Sequence, residues 1–392
     1  MQYSIKDFYF WKITMSLAMA SFFIFASMYA VQPLLPVFVG QFGVSVSTSS
    51  LSISLTIIGL IIGLIVLGFL SDRSGRTFFI KFSLVGSIIP FFLIPLVDSF
   101  VFLLVLRLIQ GFALAGLPAA SLAYISEEID KRSVSVAMAL YISSNALGGM
   151  LGRVLTGYIT DHYSWEIAFY FLASVGVIIL VAVFLMLPRS NRFEASNLSF
   201  SRDIEGFLFH LKNPALLLVF GLGIVLQFSF TGLWTYLPFY LEGPPFTLSL
   251  QIISYTFFAY GLGVVGSPFA GWLAGKFGIR IVRIIGIITL GFGIFLTLSN
   301  SLVVLIIGLC ITCLGFFTAH SLTAASVSEQ ATHHKGSASS LYLVAYYVGV
   351  ALGSTAFGPI FSAVGWTGLV IVAGSIPILY IIFVTGVTKR RA

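Results

Sequence analysis

Apolar residues run through this chain in blocks longer than a helix buried in a water-soluble domain needs, and short polar clusters interrupt them at regular intervals. Crossing the hydrocarbon core of a bilayer takes roughly 20 apolar residues in a helix. Cutting the chain at its polar clusters predicts twelve spans, near 12–39, 47–70, 77–97, 99–125, 135–160, 165–187, 214–241, 248–274, 281–299, 301–327, 337–362 and 366–387. Only one polar segment has any length, from Pro188 to Pro214, and it holds Arg189, Asn191, Arg192, Glu194, Ser196, Asn197, Arg202, Asp203 and Glu205. The pattern therefore predicts an all-α integral membrane protein. It divides into an amino-terminal six-helix bundle (1–187), a linker (188–213) and a carboxy-terminal six-helix bundle (214–392).

The halves repeat one another. Tyr141 to Trp165 and Tyr342 to Trp366 are equally long, with Gly152 and Gly157 in step with Gly353 and Gly358. Ile125-Ser126-Glu127 matches Val327-Ser328-Glu329, Leu35-Pro36 matches Leu237-Pro238, and Gly68-Phe69-Leu70 matches Gly271-Trp272-Leu273. All share an offset of about 200 residues, as a duplicated, pseudo-symmetric six-span unit gives.

Composition narrows the class. Hydrophobic residues make up 58% of the chain and charged residues 8%, too few to cover a water-soluble protein of 392 residues. The net charge of +7 has a positional explanation. All but two of the 20 Lys and Arg fall in loops that can lie on one side of the spans, from Lys6 and Lys12 through Arg73, Arg76 and Lys81 to Lys389, Arg390 and Arg391. The alternate loops, near Phe42, Asp98, Ser164, Gly243, Asn300 and Gly365, carry none. This is the positive-inside distribution, which predicts both termini in the cytoplasm and basic loops beside anionic lipids. It leaves no reason to expect nucleic acid as a partner. The first apolar stretch, Ile13 to Val39, is too long for a signal-peptide h-region and lacks a cleavage site. Cys310 and Cys313 are spaced C-x-x-C in an apolar span. They read as a redox or metal pair, or as two small buried side chains at helical spacing. With no Ser-His-Asp grouping, metal-ligand spacing or phosphate-binding glycine loop, neither an enzyme nor a cofactor is expected.

The two exceptional cations, Arg107 and Arg153, lie inside apolar spans, where a charge is costly and faces a partner or a cavity. Arg107, in Leu103-x-x-x-Arg107-x-x-Gln110-Gly111, reads as a substrate or proton-relay contact. Its alternative is a fixed arginine bonded to Gln32 and to carbonyls of the first helix. Arg153 stands in Gly148-Gly149-Met150-Leu151-Gly152-Arg153-Val154-Leu155-Thr156-Gly157 at similar depth. The two could form a positive outer cavity, with Asn145 on the same span as Arg153. Alternatively Asp161, two turns on, pairs with Arg153 at the rim. Glycines three and four apart here, and Gly349 and Gly353 in the repeat, allow close helix approach, with the fifth and eighth spans the expected pair. All 13 acidic residues fall in loops or at span ends. That leaves His320 as the embedded group titrating near neutral pH, either a proton carrier or a satisfied buried histidine. Asp161, Glu166, Glu242 and Arg107 are further proton-coupling candidates. The first span ends Tyr29-Ala30-Val31-Gln32-Pro33-Leu34-Leu35-Pro36, and its repeat reads Thr231-Gly232-Leu233-Trp234-Thr235-Tyr236-Leu237-Pro238. Proline bends such helices. Tyr29, Gln32, Trp234 and Tyr236 then offer ring faces and hydrogen bonds to a solute, or sit as interfacial aromatics against lipid.

After the second span, Gly68-Phe69-Leu70-Ser71-Asp72-Arg73-Ser74-Gly75-Arg76 resembles motif A of the major facilitator superfamily, and the stretches around Arg107 and Arg153 resemble its motifs B and C. The resemblance covers nearly the whole chain and is greatest to the drug and sugar efflux permeases with about twelve helices. It implies the major facilitator fold, two bundles around a central cavity worked by alternating access. It also implies a latch. Asp72 would face the start of the eleventh helix near Gly336, and Arg76 would pair with Glu127, Glu128 or Asp130. Gly275 replaces the aspartate in the second-half copy, which makes the latch one-sided. Exporters carry proline in motif C where this chain has Arg153. The function implied is proton-coupled efflux of a small organic solute or drug, by a monomer among the lipids of a bacterial-type cytoplasmic membrane. Alternatives are a uniporter or importer of a small anion, and a lipid flippase or receptor on the same fold.

Overall fold

In the computed structural model, residues 2–190, 192, 193, 195, 200–331 and 335–389 are described, without the side chains of 200–204, 328, 335, 336 and 387–389. Asn191, Glu194, Ser196 and Asn197 of the linker, and the terminal Arg390 and Arg391, lie outside the described residues. Among those described, eleven helices are long and apolar enough to cross a membrane. In chain order the elements are α1 (Phe8–Phe42), α2 (Val46–Ser74), α3 (Arg76–Leu96), α4 (Phe100–Glu128), α5 (Val134–His162) and α6 (Trp165–Met186). They continue with α7 (Phe200–Leu211), α8 (Pro214–Glu242), α9 (Leu250–Phe277), α10 (Ile279–Leu296), α11 (Leu302–Gln330) and α12 (Lys335–Lys389). An unbroken α12 of 55 residues would reach over twice the ~30 Å thickness of a bilayer core at ~1.5 Å per residue. It is broken at Gly365, whose φ of 63° and ψ of −162° lie outside the helical region. The break separates the two spans that the hydropathy pattern places at either side of it, so the described residues hold twelve helical segments of spanning length.

Local chemistry sets the other boundaries. The hydroxyls of Ser99 and Ser164 accept from the backbone N–H of Phe102 and Ile167, both at 3.4 Å, and start α4 and α6. The Asn213 side chain accepts from Ala215 N at 3.0 Å and starts α8. Between α2 and α3 the chain turns at Gly75 (φ 105°), and between α9 and α10 at Gly278 (φ 87°), a region that L side chains rarely occupy. These two glycines stand about 200 residues apart, in register with the sequence repeat.

Residue contacts group the chain into two compact units, Met1–Val44 with Leu51–Asn197, and Ser45–Ser50 with Leu198–Ala392. Each unit is built on the same seam. In the first, a Cβ added at Gly148 or Gly152 of α5 would lie 2.0 Å from Phe22 O or 2.6 Å from Ala26 Cα, both on α1. In the second, the same addition at Gly349 or Gly353 of α12 would lie 2.5 Å from Ile224 O or 2.4 Å from Phe228 O, both on α8. Gly157, also on α5, is buried. Each unit closes one end with tryptophan on an aromatic ring. Trp165 meets Phe38 edge-on at 5.7 Å, and Trp366 stacks on Tyr240 at 4.6 Å. Gly148 and Gly152 thus bring the fifth span against the first span of its own unit, a partner that a stripe of small residues does not itself name.

The linker differs as well. Much of it is helix α7, which packs on α8 and α12. His210 is buried, whereas Leu208, Phe209 and Leu211 are exposed. Its apolar positions are interleaved with charges, so the segment reads as polar when scanned for long apolar blocks.

Candidate functional site

The two embedded arginines occupy one polar layer of the first unit. Arg107 is fully buried. Its Nη1 donates to Ser27 O at 3.0 Å and to Gln110 Oε1 at 2.5 Å, its Nη2 to Met28 O at 2.8 Å, and its Nε to Ser52 O at 3.3 Å. Gln110 in turn donates to Ser87 O at 2.6 Å. The group thus ties α4 to α1, α2 and α3. All four of these acceptors are oxygens of neutral groups. Gln32, the expected side-chain partner of Arg107, serves Arg153 instead. Arg153 Nε donates to Gln32 Oε1 at 2.6 Å and its Nη1 to Gly149 O at 2.5 Å. Its guanidinium lies 4.0 Å from the centre of the Tyr29 ring, a cation–π contact. Thr156, one turn on, donates to Ala30 O at 2.8 Å. Both guanidiniums are therefore enclosed, Arg153 being only 3% exposed. Asp161 is exposed on the last turns of α5, and Asn145 is half-buried with its Oδ1 lacking a hydrogen-bond partner.

The motif-A turn carries a second charged group. Arg76 Nη1 bonds to Asp72 Oδ1, while its Nε and Nη2 donate to Glu127 Oε1 at 3.1 and 2.9 Å. Of the three acids expected for Arg76, Glu127 is thus the partner. Arg73 turns back onto its own helix, donating to Phe69 O at 3.0 Å with its guanidinium over the Phe69 ring. A Cβ on Gly68 would meet nothing within 4 Å, so its value is not close packing in this structure. The stretch leading into the eleventh span beside Gly336, where Asp72 is expected to point, includes residues 332–334, which lie outside the described residues. Glu128, the neighbour of Glu127, is 2% exposed. Its Oε1 accepts from Arg192 N at 3.0 Å and Ser190 Oγ at 3.3 Å. The loop that follows holds Asp130 below the usual carboxylate range, through hydrogen bonds from Ser133.

In the second unit the embedded histidine sits among rings. His320 Nδ1 lies 2.9 Å from the Tyr342 hydroxyl, and its ring stacks on Phe316 at 5.6 Å and meets Tyr346 at 4.7 Å. Phe316 stacks in turn on Phe230, which adjoins Trp234. Trp234 and Tyr236 are both fully buried, so neither is an interfacial aromatic facing lipid. The Tyr236 hydroxyl donates to Ser354 O at 2.7 Å and lies 3.2 Å from Ser50 Oγ. Neither Cys310 nor Cys313 forms a disulfide, and no cluster of three or more His, Cys, Asp or Glu able to hold a metal occurs among the described residues.

Two participants carried a sequence signal of the wrong kind. Tyr342 stands out as the start of a repeated segment, yet its hydroxyl is the partner of His320. Glu128 is one of three acids near Arg76, yet its carboxylate serves the linker.

The family model described as Major Facilitator Superfamily matches residues 17–264 and 243–392. The chain is 35% identical to the uncharacterized MFS-type transporter YybF of Bacillus subtilis (strain 168), over 92% of this chain and 89% of that one. It is 33% identical to the inner membrane transport protein YnfM of Escherichia coli (strain K12), over 92% and 86%. Among solved structures, a bacterial homolog of the human lysosomal transporter Spinster, in an inward-facing and unoccupied conformation, superposes with a TM-score of 0.80 at 15% identity over 96% of both chains.

Proposed function

The chain belongs to the major facilitator superfamily and is a multi-pass membrane transporter, not an enzyme; from that premise we propose that it exports a small organic solute in exchange for protons. Transport would proceed by alternating access, with the termini and the basic loops in the cytoplasm. Among the described spans no carboxylate lies at mid-membrane, and the observation that carries the reading is His320. It is an imidazole held in an aromatic surround with one nitrogen on the Tyr342 hydroxyl. An imidazole in such a surround would take a proton when the surround opens to water and release it when the surround closes again. Arg283 of α10 acts electrostatically on Tyr342 and donates to Ser326 Oγ at 2.9 Å. Tyr342 and Tyr346 are the titratable groups of α12 that meet the imidazole.

The test is flux in proteoliposomes under an imposed pH gradient, with ethidium as a lipophilic cation and succinate as a small dianion. Gradient-driven movement is expected with the unaltered protein. His320→Gln should lose the dependence on the gradient while retaining exchange of solute for solute. Flux indifferent to the gradient in the unaltered protein rules the proton-coupled reading out.

A second reading has its own support. The embedded cations of the first unit, Arg107 and Arg153, would favour a uniporter or importer of a small anion in a state of the cycle that releases them from the protein partners described above. On that reading succinate moves without a gradient, and neutralising both arginines abolishes its binding but spares that of ethidium.

A further inference from the structure

Three stretches of the first unit converge on the end of α4. The motif-A turn arrives through Arg76 on Glu127. The amino-terminal stretch arrives as a single parallel bridge between Tyr3 and Ile129. In it Tyr3 N donates to Glu128 O at 2.9 Å and Asp130 N to Tyr3 O at 3.0 Å, while Ile5 N reaches Ser133 Oγ at 3.0 Å. The start of the linker arrives through Glu128, whose Oε1 takes the Arg192 amide and the Ser190 hydroxyl, and through Tyr124, whose hydroxyl donates to Pro188 O at 2.9 Å. The ring of Phe193 then lies 5.5 Å from the Arg76 guanidinium. Adjacent glutamates thus face different ways. Glu127 neutralises the latch arginine, and Glu128 binds the strand that leaves the unit.

Burying a carboxylate against a hydroxyl and one amide is costly unless its acceptor capacity is used. Here the use is mechanical. We propose that Glu128 is a positioning residue that pins the first residues of the linker to the turn carrying the partner of Arg76, so that the latch and the linker move as one piece. The connection between the units is then counted from Phe193, not from the end of α6 at Met186. A shorter tether restricts the excursions available to the units and raises the rate at which the next state is found. The inference rests on the alternating-access cycle proposed above.

Oε1 accepts from both the Arg192 amide and the Ser190 hydroxyl, and an amide oxygen accepts as a carboxylate oxygen does. Glu128→Gln therefore keeps the anchor and Glu128→Ala removes it. Hydrogen exchange of the full-length protein reads the anchor directly. In Glu128→Ala the amide of Arg192 loses protection, while that of Tyr3, bonded to the backbone carbonyl of the same residue, keeps it. Turnover in proteoliposomes, measured with ethidium or succinate, falls by about fivefold at unchanged KM, the weight of one hydrogen bond. Glu128→Gln restores both readings. The inference is overturned if Arg192 keeps its protection in Glu128→Ala, if Tyr3 loses its own as the whole turn opens, or if the glutamine variant behaves as the alanine one. Failure of the unaltered protein to move either probe counts against the proposed exchange, and the protection of Arg192 then decides the anchor alone.

Discussion

Two arginines that look equivalent along the chain have different work to do. Arg107 joins four helices through carbonyl oxygens of α1 and α2 and through Gln110 to α3. Arg153 reaches across to α1, to Gln32 and the face of Tyr29, and also bonds its own helix at Gly149. Removing either leaves buried acceptors without donors, at about 1–3 kcal/mol for an acceptor with no other partner and less for a carbonyl that keeps its intrahelical bond. Arg107→Met should therefore lower the thermal midpoint of the detergent-solubilised protein more than Arg153→Met does. Equal midpoints, or a larger drop for Arg153→Met, would contradict the ranking. Sequence showed that both arginines matter, because a charge amid apolar residues needs a reason. It could not show the division of labour, since the partners of Arg107 are mostly backbone oxygens that every residue supplies. His320 is similar: the residue is visible in the sequence, while Tyr342 of α12, whose hydroxyl lies 2.9 Å from its Nδ1, is not marked as its partner by any pattern along the chain.

Helices were legible where they are long and apolar and less so where their meaning depends on a neighbour. The six spans of each half follow from block length alone, and Gly365 between the last two is readable as a break because no bilayer accommodates their summed length. Helix α7 escaped notice because Arg202, Asp203 and Glu205 stand beside its apolar residues. Glycine runs announced close packing but not the partner, and the seams proved to lie inside each unit. Those seams make a graded prediction. A methyl added at Gly148 falls 2.0 Å from Phe22 O, and one at Gly349 falls 2.5 Å from Ile224 O, so the two backbones of each pair must separate. Gly148→Ala and Gly349→Ala should each cost about 1–3 kcal/mol by overpacking. At Gly149 the nearest atoms would be Arg153 Nη1 at 3.4 Å and Tyr29 Cδ2 at 3.6 Å, ordinary contact with side chains. Gly149→Ala should keep near-normal folded yield in detergent gel filtration, and a loss matching that of Gly148→Ala would remove the seam as the reason for these glycines.

Charge and length together determine how the whole chain threads the bilayer. Every crossing reverses the side on which the next loop emerges, so the count of crossings and the side of each basic loop are one statement. The loops with Lys and Arg alternate with loops that have none, and this alternation holds only if the 55 residues of α12 cross twice. Were α12 to cross once, Lys389 and Arg390 would emerge opposite Lys276 and Arg280, and the bias would fail at its last member. The left-handed φ of Gly365 is what permits the second crossing, because the chain must turn within one residue between Val364 and Trp366. Reporter fusions separate the two cases. Alkaline phosphatase joined after Val364 should be active, since it follows eleven crossings from a cytoplasmic start. The same enzyme joined after Ala392 should be inactive, because the twelfth crossing returns it to the cytoplasm. Equal activity at the two junctions would mean that the segment after Gly365 does not cross. The duplication into six and six would then fail with it, because an odd number of crossings cannot be two copies of one unit placed on the same side.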